Sequence, residues 1–359
     1  MHSPRIGLFD RSGDFVNWEV DMACNIPLMS SVWPDAELDT PITPRENLMR
    51  AFNHEKPVWM PDLYKDTQIV MSHMSRDMAP SKLAAGVDWF GTEYIFSESA
   101  GINMPHGGVF DEVTEWRDKV HWPDMSTVDW ARDADGFVRD ETKALGMRMS
   151  NGIFERLHAF EGFEQALIDI YEEPEECRDF FEHIADYRIE LFNHHRDVFP
   201  LDYIIAADDY GTALAPFFSP EWYEKTLLEP TKRFVDAVHA RGTKFLAHCC
   251  GKVEVFVPYF ADVLKVDGIE IQMINNMPEI TKKYSDRLLV EIHCDPEIIY
   301  DDEVNDDQII SHAHGIVDTY GAHVCPGSGA TVNIQSSYEH TYRLLKNEIY
   351  HYSLEKYRG

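Results

Sequence analysis

The chain has 359 residues, of which 44% are hydrophobic, and a formal net charge of −31 at pH 7. A chain of this length can bury a large core in one or two domains. Its acidic balance argues against binding the phosphate backbone of nucleic acids, which requires clustered Lys and Arg. No apolar run approaches the roughly 20 residues of a membrane span, and the N-terminus does not resemble a signal peptide. Six cysteines in so long a chain do not indicate a disulfide framework, so we expect a reduced, cytoplasmic protein.

The first half of the chain has mixed signals. Residues 1–42 lack clear periodicity and are expected to form an N-terminal extension that packs on the rest of the chain. Thr43 and Pro44 are typical of a helix start, because Thr43 can cap the helix and Pro44 suits its first position. In chain order we then predict a helix to about 53, a strand at 57–61, a helix near 66–77 and an apolar-aromatic stretch at 86–96. A loop at 103–129 and a helix at 140–145 follow. After them we predict a strand end at 151–158 and helical spacing over 161–192, with a new helix beginning at 174.

The second half alternates regularly between strands and helices. Strands are predicted at 203–207, 243–248, 267–272, 288–293 and 323–325, and helices at 219–242, 255–260, 277–284, 306–320 and 337–354. This alternation indicates parallel strands with helices outside them. Together with about three less regular units before it, it predicts a (β/α)8 TIM barrel over residues 43–359. The alternative is a doubly wound open sheet, although no predicted strand is followed by a glycine-rich phosphate fingerprint.

The stretch from Thr243 to Gly251 delivers a histidine and two cysteines at the end of an apolar run. Residues two apart in a strand point to the same side, so His248 and Cys250 can face one point while Cys249 faces away. Imidazole and thiolate at this spacing make half of a zinc site. We expect the next ligand to be Cys325, which ends another short apolar run before glycines. The alternative is structural, because free cysteines are usually buried and inert.

Further chemistry-bearing residues follow the predicted strands. In a TIM barrel, catalytic groups lie at the carboxyl ends of the strands. Glu270 and Asp209 are candidates for a displaceable fourth zinc ligand, and His293 for orienting substrate or donating a proton. Asp208 and Asp209 are adjacent and must point to opposite sides of a regular strand, and we expect Asp209 to point inward.

A set of aromatic residues is predicted to line an apolar pocket for an aromatic ligand, although aromatic residues at such positions are more often core. The set comprises Trp89, Phe90, Tyr94, Phe154, Tyr210 and Trp222.

At these residues the chain resembles the uroporphyrinogen decarboxylase superfamily over about 43–354, and within it the zinc-dependent corrinoid methyltransferases. The resemblance covers Thr43 to Pro61, Phe154 to Pro174, and Asp208-Asp209-Tyr210-Gly211 followed by Ser219-Pro220-Glu221. The methyltransferase branch carries His-x-Cys and a distant cysteine, which fall on His248, Cys250 and Cys325, the last 75 positions after Cys250.

The resemblance implies a (β/α)8 barrel and methyl transfer between a small substrate and the cobalt of a corrinoid (cobalamin) carried by a separate partner protein. The segment from Asp88 to Tyr94 looks like the aryl methyl ether O-demethylases of anaerobic bacteria. We therefore expect zinc to polarise the oxygen of a methoxylated aromatic. The extension at 1–42 departs from the pattern expected of the family.

Three alternatives remain open. One is a methylcobalamin:thiol methyltransferase, in which zinc activates a thiol acceptor. Another is a metal-free, decarboxylase-like lyase, although the decarboxylases' arginine-rich segment has no counterpart in Pro57 to Tyr64. The third is a non-enzymatic barrel with structural zinc that binds a corrinoid protein or a ligand.

Overall fold

The computed structural model describes residues 33–34, 38–70, 86–97 and 102–358. Most of the predicted extension at 1–42 therefore lies outside the described residues. The part of it that is described contacts the remainder of the chain, since the Trp33 indole donates to the Ser336 carbonyl at 3.1 Å and the Tyr350 hydroxyl donates to the Asp39 carbonyl at 2.8 Å.

Most described strands belong to one parallel sheet. Its seven strands are ordered β1-β5-β6-β7-β8-β9-β10, and a second, antiparallel sheet has the order β2-β3-β4. The strands are β1 Thr67–Val70, β2 Gly86–Val87, β3 Glu93–Ser97, β4 Ile102–Pro105, β5 Ala144–Met149, β6 Tyr203–Ala207, β7 Lys244–Cys249, β8 Gly268–Ile271, β9 Leu289–His293 and β10 Ala330–Asn333.

Helices connect the parallel strands, as the sequence predicted. The α-helices are α1 Pro44–Phe52, α2 Trp116–Lys119, α3 Ile153–Glu161, α4 Phe163–Glu172, α5 Pro174–Val198, α6 Pro220–Thr226, α7 Leu228–Ala240, α8 Met277–Tyr284, α9 Pro296–Ile299, α10 Asp306–Tyr320 and α11 Glu339–Tyr357. A parallel strand needs a crossover connection to the next one, and a helix supplies it. The result is an α/β fold consistent with a TIM-like barrel.

The two edges of the large sheet come together just before β1. The backbone N–H of Leu63 donates to the Val332 carbonyl at 3.0 Å, and the N–H of Val332 donates to the Pro61 carbonyl at 2.8 Å. Asp62 and Val332 thus form a parallel bridge between this segment and β10. The sheet therefore curls until its last strand, β10, meets the segment that precedes its first strand.

The helix starts follow from local sequence. The Thr43 hydroxyl accepts from the N–H of Glu46 at 3.1 Å, and the Ser219 hydroxyl accepts from the N–H of Trp222 at 3.1 Å. Each cap is followed by proline at the first helical position, where its missing N–H costs nothing. Asn305 and Gln308 form a complete capping box at the start of α10.

Several predicted elements differ from the structure. Two predicted strands are absent, since 57–61 is not a strand and 323–325 is a turn. Two predicted helices are instead turns that lead into strands: 66–70 contains β1, and 140–145 contains the start of β5. The predicted strand end at 151–158 is largely α3, and the predicted helix at 219–242 is split into α6 and α7. Residues 71–77 lie outside the described residues. Short apolar runs such as 57–61 are a source of error, because periodicity alone does not separate a buried strand from a short helical segment.

The inner side of the curled sheet is polar towards the carboxyl ends of its strands, whereas its amino-end half is apolar and includes Leu246 and Leu289. Arg148, Glu270, Glu291 and Asn333 are all buried within strands. The outward strand residues, such as Met147, belong to one apolar cluster with Phe180 of α5. Buried charges require partners, so this interior is the part of the fold that carries the site. Among the described residues, no helix combines the length and apolar character needed to cross a membrane.

Gly251 turns the chain after β7 at φ 97°, where a Cβ would overlap the backbone carbonyl of Gly211. We expect Gly251→Ala to lower the free energy of unfolding by about 3 kcal/mol, because strain and overlap act together. Gly315→Ala is the matched control, since Gly315 lies within α10 with nothing near its missing Cβ. It should raise stability by about 0.5–1 kcal/mol. Urea unfolding of both variants measures the change in the free energy of unfolding, and equal changes for the two variants would contradict the prediction.

Candidate metal centre

Three potential metal ligands meet at the carboxyl ends of β6 and β7. They are Asp209, His248 and Cys250, and their donor atoms all lie within 4.8 Å of one another. His248 Nε2 lies 3.4 Å from Cys250 Sγ and 3.7 Å from Asp209 Oδ1. Ligands of a tetrahedral zinc ion at about 2.0–2.3 Å are separated by roughly 3.4–3.6 Å. Both distances from His248 are close to this spacing, and all three donor types are ones that zinc takes.

The orientation of His248 depends on Glu270, its register partner on β8. His248 Nδ1 lies 2.9 Å from Glu270 Oε1. A carboxylate at one ring nitrogen holds the proton there and leaves the other nitrogen free to bind a metal. Glu270 thus directs Nε2 towards Cys250 and Asp209.

Glu270 is buried and has two further partners. The Tyr64 hydroxyl donates to its Oε2 at 2.8 Å, and Arg148 NH1 lies 3.7 Å from its Oε1. Burial alone would raise the pKa of Glu270, but the charge of Arg148 and the side-chain contacts with His248 and Tyr64 outweigh it and hold that pKa below its usual range. Burial and the nearby Glu270 charge raise the pKa of Tyr64 well above its usual value, so Tyr64 remains a donor.

The two neighbouring aspartates have separate roles. Asp209 Oδ1 accepts from the N–H of Cys250 at 2.7 Å, which fixes it beside the cluster. Asp208 points the other way and accepts from the N–H groups of Glu155 and Phe154, at 2.9 and 3.1 Å, in the first turn of α3. Burial raises the pKa of Asp208 to about 7. Asp208 therefore caps a helix, and Asp209 faces the candidate ligands.

A second group adjoins the first and contains Glu270, Glu291 and His293, with donor atoms within 4.8 Å of one another. His293 Nε2 lies 2.7 Å from Glu291 Oε2. The charge of Glu291 raises the pKa of His293 to about 9, although burial opposes it. Because Glu291 pairs with His293 and Glu270 with Arg148, this group is balanced by its own cations.

The structure separates Cys325 from the candidate ligands, which corrects its prediction as the third one. Cys325 lies in a turn before β10, and the following residues contact the segment before β9: Ser285 donates to the Pro326 carbonyl at 2.6 Å. This turn is at the amino ends of the strands, whereas Cys250 is at the carboxyl end of β7. Cys325 Sγ contacts the Thr319 carbonyl at 3.7 Å, and burial raises the pKa of its thiol.

Cys249 also agrees with the expected alternation, because it is buried on the outer side of β7 and burial raises the pKa of its thiol well above the usual value.

The predicted pocket of aromatic residues is also corrected. Five of its six members are buried in the hydrophobic core, and Trp89 packs against that core from its edge. Phe154 contacts Phe218, and Tyr210 contacts Phe218, Tyr223, Phe256 and Phe260. The Trp222 indole donates to the Ile170 carbonyl at 2.6 Å. These rings fill space between helices because aromatic side chains bury large apolar areas there.

Sequence reasoning missed Tyr64, Arg148, Glu291 and Asn333 as parts of this site. Arg148 and Glu291 had a usable signal, since each is a charged residue inside an otherwise apolar strand. Such a charge is buried only when it is paired, which favours a functional interior. Tyr64 and Asn333 had no such signal, because their roles depend on where β8 and β9 lie.

Comparisons with known proteins give one family. A sequence model described as Uroporphyrinogen decarboxylase (URO-D) matches residues 157–345, slightly more than half of the chain. The matched segment contains Asp209, His248, Cys250 and Glu270. No curated protein matches the chain.

Two solved structures show a weak likeness. A sugar phosphate isomerase/epimerase from Parabacteroides distasonis is 13% identical over 67% of this chain and 79% of its own, with a TM-score of 0.30. The catalytic module of a family 98 glycoside hydrolase from Streptococcus pneumoniae is 12% identical over 59% of this chain and 34% of its own, with a TM-score of 0.20. At these TM-scores neither likeness bears on the function of this chain.

Replacing Arg148 tests the interior network. Arg148→Met should lower the free energy of unfolding by about 3 kcal/mol, because it leaves Glu270 buried with one cation fewer. The control is Arg50→Met, which removes an exposed pair with Glu46 at 3.0 Å and should cost less than about 0.5 kcal/mol. Chemical denaturation measures both. A loss for Arg148→Met no greater than that for the control would contradict the network.

Proposed function

Because the chain belongs to the uroporphyrinogen decarboxylase family, whose members are decarboxylases and related methyltransferases, we propose that it is a zinc-dependent methyltransferase. In this proposal it moves a methyl group from an aryl methyl ether to the cobalt of a corrinoid protein. The observation that carries the proposal is the convergence of Asp209, His248 and Cys250 at the carboxyl ends of two parallel strands. Active sites of TIM-like folds lie at this end of the strands.

The donor set suits zinc. Imidazole nitrogen, thiolate sulfur and carboxylate oxygen are the three kinds of ligand that zinc takes in proteins, and a catalytic site uses three and leaves one position open. One thiolate and one carboxylate balance the charge of a zinc ion. Bound there, zinc would polarise the ether oxygen and make it a better leaving group. Asp209 replaces Cys325 as the third proposed ligand.

The protein residues would do the remaining work. Glu270 holds His248 in the tautomer that presents Nε2, and Tyr64 and Arg148 hold Glu270. The N–H of Cys250 fixes Asp209. Each ligand is therefore oriented before a metal or substrate arrives, and such preorganisation lowers the cost of binding.

A protein partner is supported by exposed apolar side chains around the same end of the sheet. Leu214, Val255, Met273 and Ile274 are 88%, 40%, 40% and 43% exposed and lie on the loops that follow β6, β7 and β8. Exposed apolar groups around a site favour an interface. We propose that a corrinoid protein docks here and presents its cobalt to the bound ether.

We also propose that the sheet is a complete (β/α)8 barrel. The segment Pro61 to Leu63 would occupy the eighth position, and its hydrogen bonds to Val332 support this arrangement.

The rival function is a metal-free, decarboxylase-like lyase, and one observation favours it. Arg148 faces the interior of the sheet, where it would meet the carboxylate of a substrate. Its position near Glu270 and Tyr64 opposes this role, because its charge is already needed to stabilise a buried carboxylate.

Metal analysis tests the proposed ligand set. We expect about one zinc per chain in wild type, little in Cys250→Ser and wild-type content in Cys325→Ser, because Cys250, unlike Cys325, lies with His248 and Asp209. Elemental analysis after purification without chelators measures this. Wild type without zinc would support the lyase, and loss of zinc in Cys325→Ser would restore Cys325 as a ligand.

Methyl transfer is then tested directly. The zinc-loaded protein is mixed with free, chemically reduced cob(I)alamin and a panel of aryl methyl ethers. Formation of methylcobalamin and the matching phenol by wild type, but not by Cys250→Ser, is the expected result. The absence of methylcobalamin with wild type across the panel would argue against the proposed reaction.

A further inference from the structure

Glu291 and His293 form an acid–base pair that the proposed zinc chemistry does not use. Both lie on β9, two residues apart, and therefore point to the same side of the sheet. Glu291 is fully buried, and its Oε2 lies 2.7 Å from His293 Nε2. The side chain of His293 is 32% exposed. One end of the pair is therefore fixed inside the sheet, and the other end reaches its rim.

The strand register places this pair beside the candidate metal centre. His248 on β7 pairs with Glu270 on β8. Ile269, which precedes Glu270 on β8, pairs with Val290 on β9, so the same register sets Glu291 beside Glu270. His293 lies two residues further along β9, at the same level as Cys250, which lies two residues beyond His248. Inward side chains at the carboxyl ends of neighbouring strands converge on one opening. A substrate bound in that opening can meet both groups.

The charges around His293 keep it protonated. Glu291 on the same strand and Glu270 on β8 both raise the pKa of His293, which reaches about 9, and burial only partly opposes them. Asn333 is the register partner of His293 on β10. An imidazolium beside a fixed carboxylate is a common arrangement for a general acid.

His293 also has access to a source of protons. It lines a groove of about 920 Å³ together with Asp295, Asp307 and His312. The groove is open, so a neutral His293 can regain a proton from water there. Through His293, protons from water in the groove can therefore reach the opening at the carboxyl ends of the strands.

Resting on the function proposed above, we propose that His293 is the general acid that protonates the departing oxygen of the methyl ether, with Glu291 as its positioning residue. The bond between methyl carbon and ether oxygen breaks, and its electron pair stays on oxygen. The methyl group is bonded to the partner's cobalt, which goes from Co(I) to Co(III). The proton on His293 Nδ1 passes to the oxygen, and the phenol leaves neutral.

The leaving group distinguishes an acid from a structural residue. The phenolate of 4-nitroanisole is stable without a proton, whereas that of anisole is much less so. His293→Gln should therefore slow methyl transfer from anisole by about 100-fold or more and from 4-nitroanisole by less than about 10-fold. Zinc-loaded full-length protein and free cob(I)alamin are used, and His351→Gln, an exposed position on α11, is the control that should match wild type.

A second measurement does not depend on activity. NMR titration of the His293 ring should show a pKa well above the usual value in wild type and a fall in Glu291→Gln. Glu291→Gln should also slow anisole more than 4-nitroanisole, whereas a loss of fold would slow both equally. Zinc content and chemical denaturation establish that each variant is loaded and folded.

Four results would overturn the inference. Equal slowing of both ethers by His293→Gln would make His293 structural, and a neutral His293 ring at pH 7 in wild type would remove the acid. A second zinc equivalent that is lost in Glu291→Gln would assign this group to a metal. If wild type transfers methyl from neither ether, both the proposed function and this inference fail. If wild type is active and His293→Gln slows transfer from both ethers equally, only the inference fails.

Discussion

A buried carboxylate holds the interior of this protein together. Glu270 lies inside the curled sheet, where an unpaired charge would cost several kcal/mol. Its partners come from three other parts of the chain: His248 on β7, Tyr64 just before β1 and Arg148 on β5. Pairing this one carboxylate with all its partners therefore fixes the relative positions of strands that are far apart in sequence. The same contacts set the tautomer of His248, so the requirement that stabilises the interior also orients the candidate metal ligand.

The site divides its acidic groups by environment. Asp209 stands at the rim beside Cys250, Asp208 caps a helix, and Glu291 is buried with a histidine as its partner. Carboxylates of the same chemical type thus take different roles because they differ in burial and in the groups that they face. In the proposed function, this separation gives a metal ligand and a proton donor on neighbouring strands.

Most regular elements of the second half were predictable from sequence. The bounds of α8 and α10 agree with their predictions, because capping residues and helical periodicity are local signals. The first half was predicted less well, since β1 and the start of β5 fell within predicted helices. Both are short apolar runs whose strand identity comes from pairing with each other, and pairing is not a local property.

By itself the sequence determined the alternating α/β character, the position of His248 and Cys250 on one side of a strand, and the inward direction of Asp209. The shared side of His248 and Cys250 and the opposite directions of Asp208 and Asp209 follow from the two-residue period of a strand. Only the tertiary structure decided which distant residues join them. It placed Cys325 at the amino ends of the strands, packed the predicted aromatic pocket into the core and brought Arg148 to Glu270. Spacing along a chain does not set the distance between two strand ends, because that distance depends on strand order, register and direction, which arise only when the sheet forms.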